Sequence, residues 1–91
     1  MKLAGAKVVV VGMARSGVAA VELLREQGAE VRAVDQNPVM VPGLTVMPQT
    51  EASFADADLI VLSPGVPADL DAIEEARRRG VRVIGDLELA S

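Results

Sequence analysis

This sequence predicts an α/β fold, an open parallel sheet of four to five strands with helices on both faces. Three observations carry that expectation. Short apolar runs alternate with helix-length amphipathic segments along the chain. Residues of apolar type make up 51% of the chain, yet only Phe54 is aromatic, so the core must be built of Val, Leu, Ile and Ala. Such side chains suit strands covered on both sides. Finally, four valines at 8–11 run straight into the small residues Gly12, Ala14 and Gly17, after which a helical pattern begins at once.

The elements follow in order. Residues 8–11 are read as the first strand and 16–27 as the helix after it, with Gly28 as its left-handed cap. Residues 30–35 alternate as a second strand carrying Val31, Ala33 and Val34. Pro38, Pro42 and Gly43 mark 36–43 as a loop, and 44–47 reads as a short edge strand bounded by Pro48. A short helical turn at 51–57 precedes a buried strand at 59–62, closed by Ser63-Pro64-Gly65. A second long helix covers about 69–79, with Asp71 and Glu74 spaced as a capping box and Asp69 as the other candidate cap. Gly80 ends it, and 81–84 forms the last strand. Strands separated by helices make right-handed parallel crossovers, so the expected sheet is Rossmann-like, of order 3-2-1-4-5. The stretches 26–35 and 78–86 share a plan of helix end, Gly, strand and Asp, a recurring connection and not a repeat. The tail 85–91 opens a new helical pattern and stops, which suggests one domain of a longer protein.

Charge and composition exclude several classes. A net charge of −4 supplies no basic surface for nucleic acid. The one dense basic run, Arg77-Arg78-Arg79, sits at a helix end, where cations complement the dipole and face water. With no cysteine and no histidine, disulfides, thiolate nucleophiles and imidazole bases are out of reach. No apolar segment is long enough for a membrane span, no signal peptide is recognisable, and a cytoplasmic location is the default expectation.

The candidate site gathers where strands end. A buried strand turning sharply into a helix leaves unpaired N–H groups at the helix start, and these favour an anion such as a nucleotide phosphate. Gly12, Ala14 and Gly17 occupy the three small positions of the dinucleotide fingerprint, with a methyl at the second, where a pyrophosphate comes closest. Ser16 adds a hydroxyl or serves only as a helix residue. Asp35, about twenty residues on, is placed to accept from a ribose or a base edge, or else to cap its own loop. Gln36 and Asn37 offer amides next to it, and turn formation accounts for them nearly as well. The loop Ser63-Pro64-Gly65-Val66-Pro67 lies at the same sheet edge as a rigid backbone wall. Catalytic machinery is not recognisable: Ser16 and Ser63 have no base, Lys2 and Lys7 precede or open the first strand, and Asp56, Asp58, Asp69 and Asp71 read as a solvated face and caps. There is no G-x-x-x-x-G-K-[ST] loop to hold ATP. From these residues alone, UDP, NAD and other nucleotides stand level.

Taken together, Gly12-Met13-Ala14-Arg15-Ser16-Gly17, Asp35, the stretch from Ala57 to Pro67 containing Ser63-Pro64-Gly65-Val66-Pro67, and Ile84-Gly85-Asp86-Leu87-Glu88-Leu89 resemble the N-terminal domain of the Mur ligases. The S-P-G-[IV]-P loop favours the D-glutamate-adding branch over the L-alanine-adding one. The resemblance implies a cytoplasmic, three-domain enzyme of peptidoglycan synthesis, in which ATP phosphorylates a substrate carboxylate and an amine attacks the acyl phosphate. ATP and magnesium would belong to the absent central domain, and the amino acid would be held with help from the absent C-terminal one. This chain, residues 1–91, would be the single domain that binds the UDP part of UDP-N-acetylmuramoyl-L-alanine and would be inert alone. On that likeness Arg15 and Ser16 meet the diphosphate within the turn formed by Ala14 and Gly17, Asp35 and Gln36 contact the uracil, and Gly65 approaches through its backbone. Asn37 stands where some relatives carry a basic residue near the phosphates, and Gln36 where a hydroxyl residue occurs. The competing readings are an NAD-binding domain of a dehydrogenase or regulatory protein, and a structural α/β module without a ligand.

Overall fold

Apolar runs too short for helices become strands here because a parallel sheet buries both of their faces. The computed structural model describes residues 3–67 and 70–85. Strand β1 (Lys7–Val11) leads through the small-residue turn into helix α1 (Arg15–Glu26), followed by β2 (Glu30–Asp35) and β3 (Val46–Pro48). A 3₁₀ turn (Glu51–Phe54), β4 (Leu59–Leu62), helix α2 (Asp71–Arg78) and β5 (Arg82–Gly85) complete the order. All five strands are parallel, in the order β3-β2-β1-β4-β5 that the sequence predicts.

Period-two alternation along β1 builds two layers from one strand. Val8 and Val10 pack with Ala20, Val21 and Leu24 of α1, together with Ala33, Leu59 and Val61. Val9 and Val11 face the other way, onto Ile73 and Ala76 of α2, Phe54, Val34, Ile60 and Leu62. All four valines are at most 2% exposed. Lone Phe54, 1% exposed, supplies the bulk that the short 3₁₀ turn needs to cover its corner of the sheet. Among the described residues every buried side-chain nitrogen or oxygen has a partner.

The boundaries of β2 and β4 match the sequence expectation, and both helices end at the expected glycines, Gly28 and Gly80, each left-handed. Beyond shifts of one to three residues at other element ends, three details differ. The edge strand begins at Val46 and not at residue 44, because the Leu44 N–H donates to the Val41 carbonyl (3.1 Å) and closes a turn. Pro48 belongs to that strand, opposite Asp35, which an edge tolerates because one side of it needs no N–H donor. The Asp71/Glu74 capping box is not formed. Asp71 is the first helical residue, Leu70 holds the N-cap position with no side-chain cap, and Glu74 pairs with Arg77 at 2.6 Å. Asp69, Lys2 and the tail beyond Gly85 lie outside the described residues. The basic run at the end of α2 faces water as expected, with Arg78 paired to Glu75 at 3.0 Å.

Candidate functional site

Parallel strands all present their C-terminal ends on one edge, and in this sheet the ends of β1, β2 and β4 stand side by side there. The chain leaves β1 toward α1 on one face, while β4 continues toward α2 on the other. The strand order therefore places a crevice at this edge between the two crossovers.

The floor of the crevice is set by close approach. Gly12 donates its N–H to the Val34 carbonyl at 2.7 Å, which fastens the turn to β2. A methyl on Gly17 would stand 1.8 Å from the Gly12 carbonyl oxygen and 2.8 Å from Ser63 Oγ, so only glycine lets α1 seat on the strand end. Ser63, 4% exposed, donates its hydroxyl to the same Gly12 carbonyl at 2.8 Å. That hydroxyl has a structural duty; it is not a waiting nucleophile.

The walls come from two loops. After β2, the Asp35 carboxylate accepts the Met13 N–H on Oδ2 and the Asn37 N–H on Oδ1, both at 2.8 Å. The loop-capping reading of Asp35 is thus realised. A carboxylate offers about four lone-pair sites, so each oxygen keeps one acceptor position. After β4, Ser63-Pro64-Gly65-Val66 closes a turn in which the Val66 N–H donates to the Ser63 carbonyl at 3.2 Å. Gly65 takes φ +89° at its third position, the geometry of a type II turn with proline at the second. Open space surrounds Gly65, so it is the backbone and not packing that requires glycine there.

Between these walls lies a cleft of about 210 Å³, lined by Ala14, Asp35, Gln36, Asn37 and Gly65 of the sequence-predicted set. Arg15, Ser16 and Gly17 do not line it. They form the first turn of α1 just beside Ala14, with Arg15 exposed, Ser16 half-buried and Gly17 buried. Ala14 is the N-cap of α1 and provides no side-chain cap, so the first-turn N–H groups have no side-chain acceptor there. Gln49 also lines the cleft, and sequence reasoning missed it. It follows the edge strand, whose register no local pattern specifies. A second groove of about 250 Å³ runs on the far side of the 35–37 segment, bounded by Pro38, Val46, Met47 and Pro48.

Chemically, the cleft offers hydrogen-bonding groups and, among the described residues, no reactive set. Among those residues its lining offers backbone N–H groups, three side-chain amides and one carboxylate, with no lysine, arginine or base-activated hydroxyl. Lys7 stands at the opposite end of β1, where its N–H and carbonyl are bonded to Asp58. Among the described residues there is no group of three or more acidic residues placed to hold a metal ion. No described helix is long and apolar enough to cross a membrane.

Known structures share this architecture widely. The N-terminal part of UDP-N-acetylmuramate-alanine ligase MurC from Thermotoga maritima superposes with TM-score 0.69 at 23% identity, covering 91% of this chain and 21% of that one. A glyoxylate reductase from Paecilomyes thermophila matches with the same TM-score, 0.69, at 18% identity, over 93% of this chain and 28% of its own. At such identities these likenesses show the fold alone. Sequence shows the family. The UDP-N-acetylmuramoylalanine--D-glutamate ligase of Solibacter usitatus is 52% identical, over all of this chain and 22% of the relative. That of Myxococcus xanthus is 44% identical, over 99% of this chain and 22% of the relative. The chain thus spans about a fifth of the length of the curated relatives it matches. The profile described as Mur ligase MurD-like, N-terminal domain, matches residues 6–85, which takes in the glycine turn, Asp35 and the Ser63–Pro67 loop; the chain belongs to that family.

Proposed function

We propose that this chain is the domain of a D-glutamate-adding Mur ligase that holds the UDP end of UDP-N-acetylmuramoyl-L-alanine. The observation that carries this reading is the cleft at the switch point of the sheet, beside a helix N-terminus that no side chain caps. The diphosphate lies at the start of α1, against the Arg15 and Ser16 N–H groups and the Arg15 guanidinium, where helix dipole and charge act together. Ala14 and Gly17 shape that turn. Uracil and ribose lie toward Asp35 and Gln36, using the acceptor positions that the two backbone N–H groups leave open. Asn37 supplies a neutral amide, and Gly65 presents its peptide from the opposite wall. A cleft of about 210 Å³ is small beside the roughly 300 to 1,000 Å³ typical of ligand sites, and on this reading the sugar is held with help from neighbouring domains of the longer protein.

On this reading the domain positions substrate and the reaction happens elsewhere. ATP would transfer its γ-phosphoryl group to the substrate carboxylate, and the D-glutamate amine would displace phosphate from the acyl phosphate to form the amide. The described residues do not fit ATP and magnesium: the cleft has no phosphate-loop lysine and no clustered carboxylates.

Amide NMR of the chain, titrated separately with UDP, UDP-N-acetylmuramoyl-L-alanine and NADH, tests the assignment. Shifts confined to Arg15, Ser16, Asp35, Gln36 and Gly65 are expected with the two uridine compounds. A response to NADH alone would replace the ligase reading with a dinucleotide one.

A further inference from the structure

A single peptide unit in the glycine turn is held from both sides by side chains that lie far apart in sequence. The Gly12 carbonyl accepts from Ser63 Oγ at 2.8 Å, and the Met13 N–H of the same Gly12–Met13 peptide donates to Asp35 Oδ2 at 2.8 Å. Ser63 comes from the end of β4 and Asp35 from the end of β2, the two strands that flank β1. The peptide plane is therefore pinned between both neighbours of the strand it leaves. Its surroundings leave little latitude. Gly12 has φ +93°, and a methyl there would lie 3.0 Å from both Ser63 Cβ and Val66 Cγ2. Asp35 extends the hold to the second wall through the Asn37 N–H, so one carboxylate ties the glycine turn to the loop after β2.

We infer that Asp35 and Ser63 are paired positioning residues that lock the Gly12–Met13 peptide and so preset the start of α1 for the nucleotide. The consequence for affinity rests on the UDP-binding reading; the lock itself does not. Three things follow from the geometry. The Met13 N–H is already taken, so the diphosphate is met by later N–H groups of the turn and not by this one. Asp35 acts through the backbone as well as through any contact with uracil or ribose. Ser63, whose hydroxyl points at a backbone carbonyl and which is 4% exposed, influences binding without needing to touch the ligand. Orientation fixed before binding lowers the ordering cost at the moment of binding.

The test uses Ser63→Ala, Asp35→Asn and the double variant, read by amide hydrogen exchange without ligand and by UDP affinity. Ser63→Ala removes the donor with little change of volume. Asp35→Asn keeps the shape but leaves one carbonyl oxygen for two N–H groups. Each single change should speed Met13 exchange roughly 10-fold while the Val10 and Val61 amides of the core keep the parent's rates relative to global stability. UDP binding should weaken roughly 5- to 20-fold in each, and the double variant should be about as weak as the weaker single one, since both act on one peptide. Unchanged Met13 exchange in Ser63→Ala overturns the lock, as does a double variant whose loss is the product of the two. Uniform acceleration at Met13, Val10 and Val61 would reduce both residues to general stabilisers and overturn it too. Should Ser63→Ala not fold, Asp35→Asn decides the question at the same amide. If the parent chain ignores UDP altogether, the binding reading falls, and the exchange result alone then judges the lock.

Discussion

Gly17 has no room for even one methyl. Its neighbour at 1.8 Å from an added Cβ is the Gly12 carbonyl oxygen, part of the backbone, so no flexible side chain can yield. Overpacking of this kind typically costs 1 to 3 kcal/mol, and a backbone clash belongs at or above the upper end. Gly17→Ala should therefore cost about 3 kcal/mol or more and lower Tm by about 12 °C or more, as a circular dichroism melt would show. A Tm within a few degrees of the parent would mean that α1 slides freely on β1. Ala14 presents the opposite case, a residue with room to improve. It occupies the N-cap of α1 with extended backbone (φ −73°, ψ −176°) and no side-chain cap. Ala14→Asp would cap the helix and complement its dipole, adding about 1 kcal/mol of stability. The same carboxylate would compete for the Ser16 N–H assigned to the diphosphate and repel its charge. Higher Tm together with loss of UDP binding is the expected pair of results, read by thermal melts and titration calorimetry. Retained UDP affinity in that variant would place the diphosphate away from the start of α1.

Between elements, the least foreseeable link is Arg32. A strand arginine inside an alternating apolar pattern reads as a solvent-facing residue. In the structure its Nη1 donates to the Ser53 carbonyl at 2.7 Å and the Ala55 carbonyl at 3.2 Å, tying β2 to the end of the 3₁₀ turn. Arg32→Met keeps the aliphatic stem and removes both donors, and hydrogen bonds from a charged group to the backbone are worth about 1.5 to 3 kcal/mol. The bond to Ala55 is solvent-exposed, which favours the lower end, so urea unfolding should register about 1.5 kcal/mol. No loss would show that Phe54 and the Ser53 hydroxyl, which donates to the Pro48 carbonyl of β3 at 2.5 Å, hold the turn to the sheet without it. This contrast shows what the sequence made legible. The valine run, the alternation in 30–35, the apolar run 59–62 and the glycines at 28 and 80 report local preferences, and they located β1, β2, β4 and both helix ends. Small residues after apolar strands marked the glycine turn and the Ser63–Pro67 loop for the same reason. The Asp35–Met13 and Ser63–Gly12 bonds join residues 22 and 51 apart, and they exist only once strand order and side-chain rotamers are set. The start of α2 shows burial overriding a local signal: Leu70 packs against the core and takes the N-cap position, leaving Asp71 inside the helix.

At the scale of the whole molecule, β1 belongs to both layers of the core. Val8 and Val10 serve the α1 side and Val9 and Val11 the α2 side, so neither layer can open without exposing the strand that supports the other. Fully burying a valine contributes about 1.5 to 3 kcal/mol, and four such residues on one strand make partial opening costly. The chain is therefore expected to unfold in a single calorimetric transition, with calorimetric and van't Hoff enthalpies equal and near 60 kcal/mol for its length. The candidate site spans the end of β1 and of both its neighbours. Gly12 follows β1 directly, Ser63 follows β4, and Asp35 ends β2, so ligand bound there restrains the sheet as a unit. UDP at about one hundred times its Kd should add about 2.7 kcal/mol and raise the one transition by about 10 °C or more, without splitting it. Two transitions, with UDP moving only one of them, would show that the layers separate and that the nucleotide reports on α1 and its turn alone.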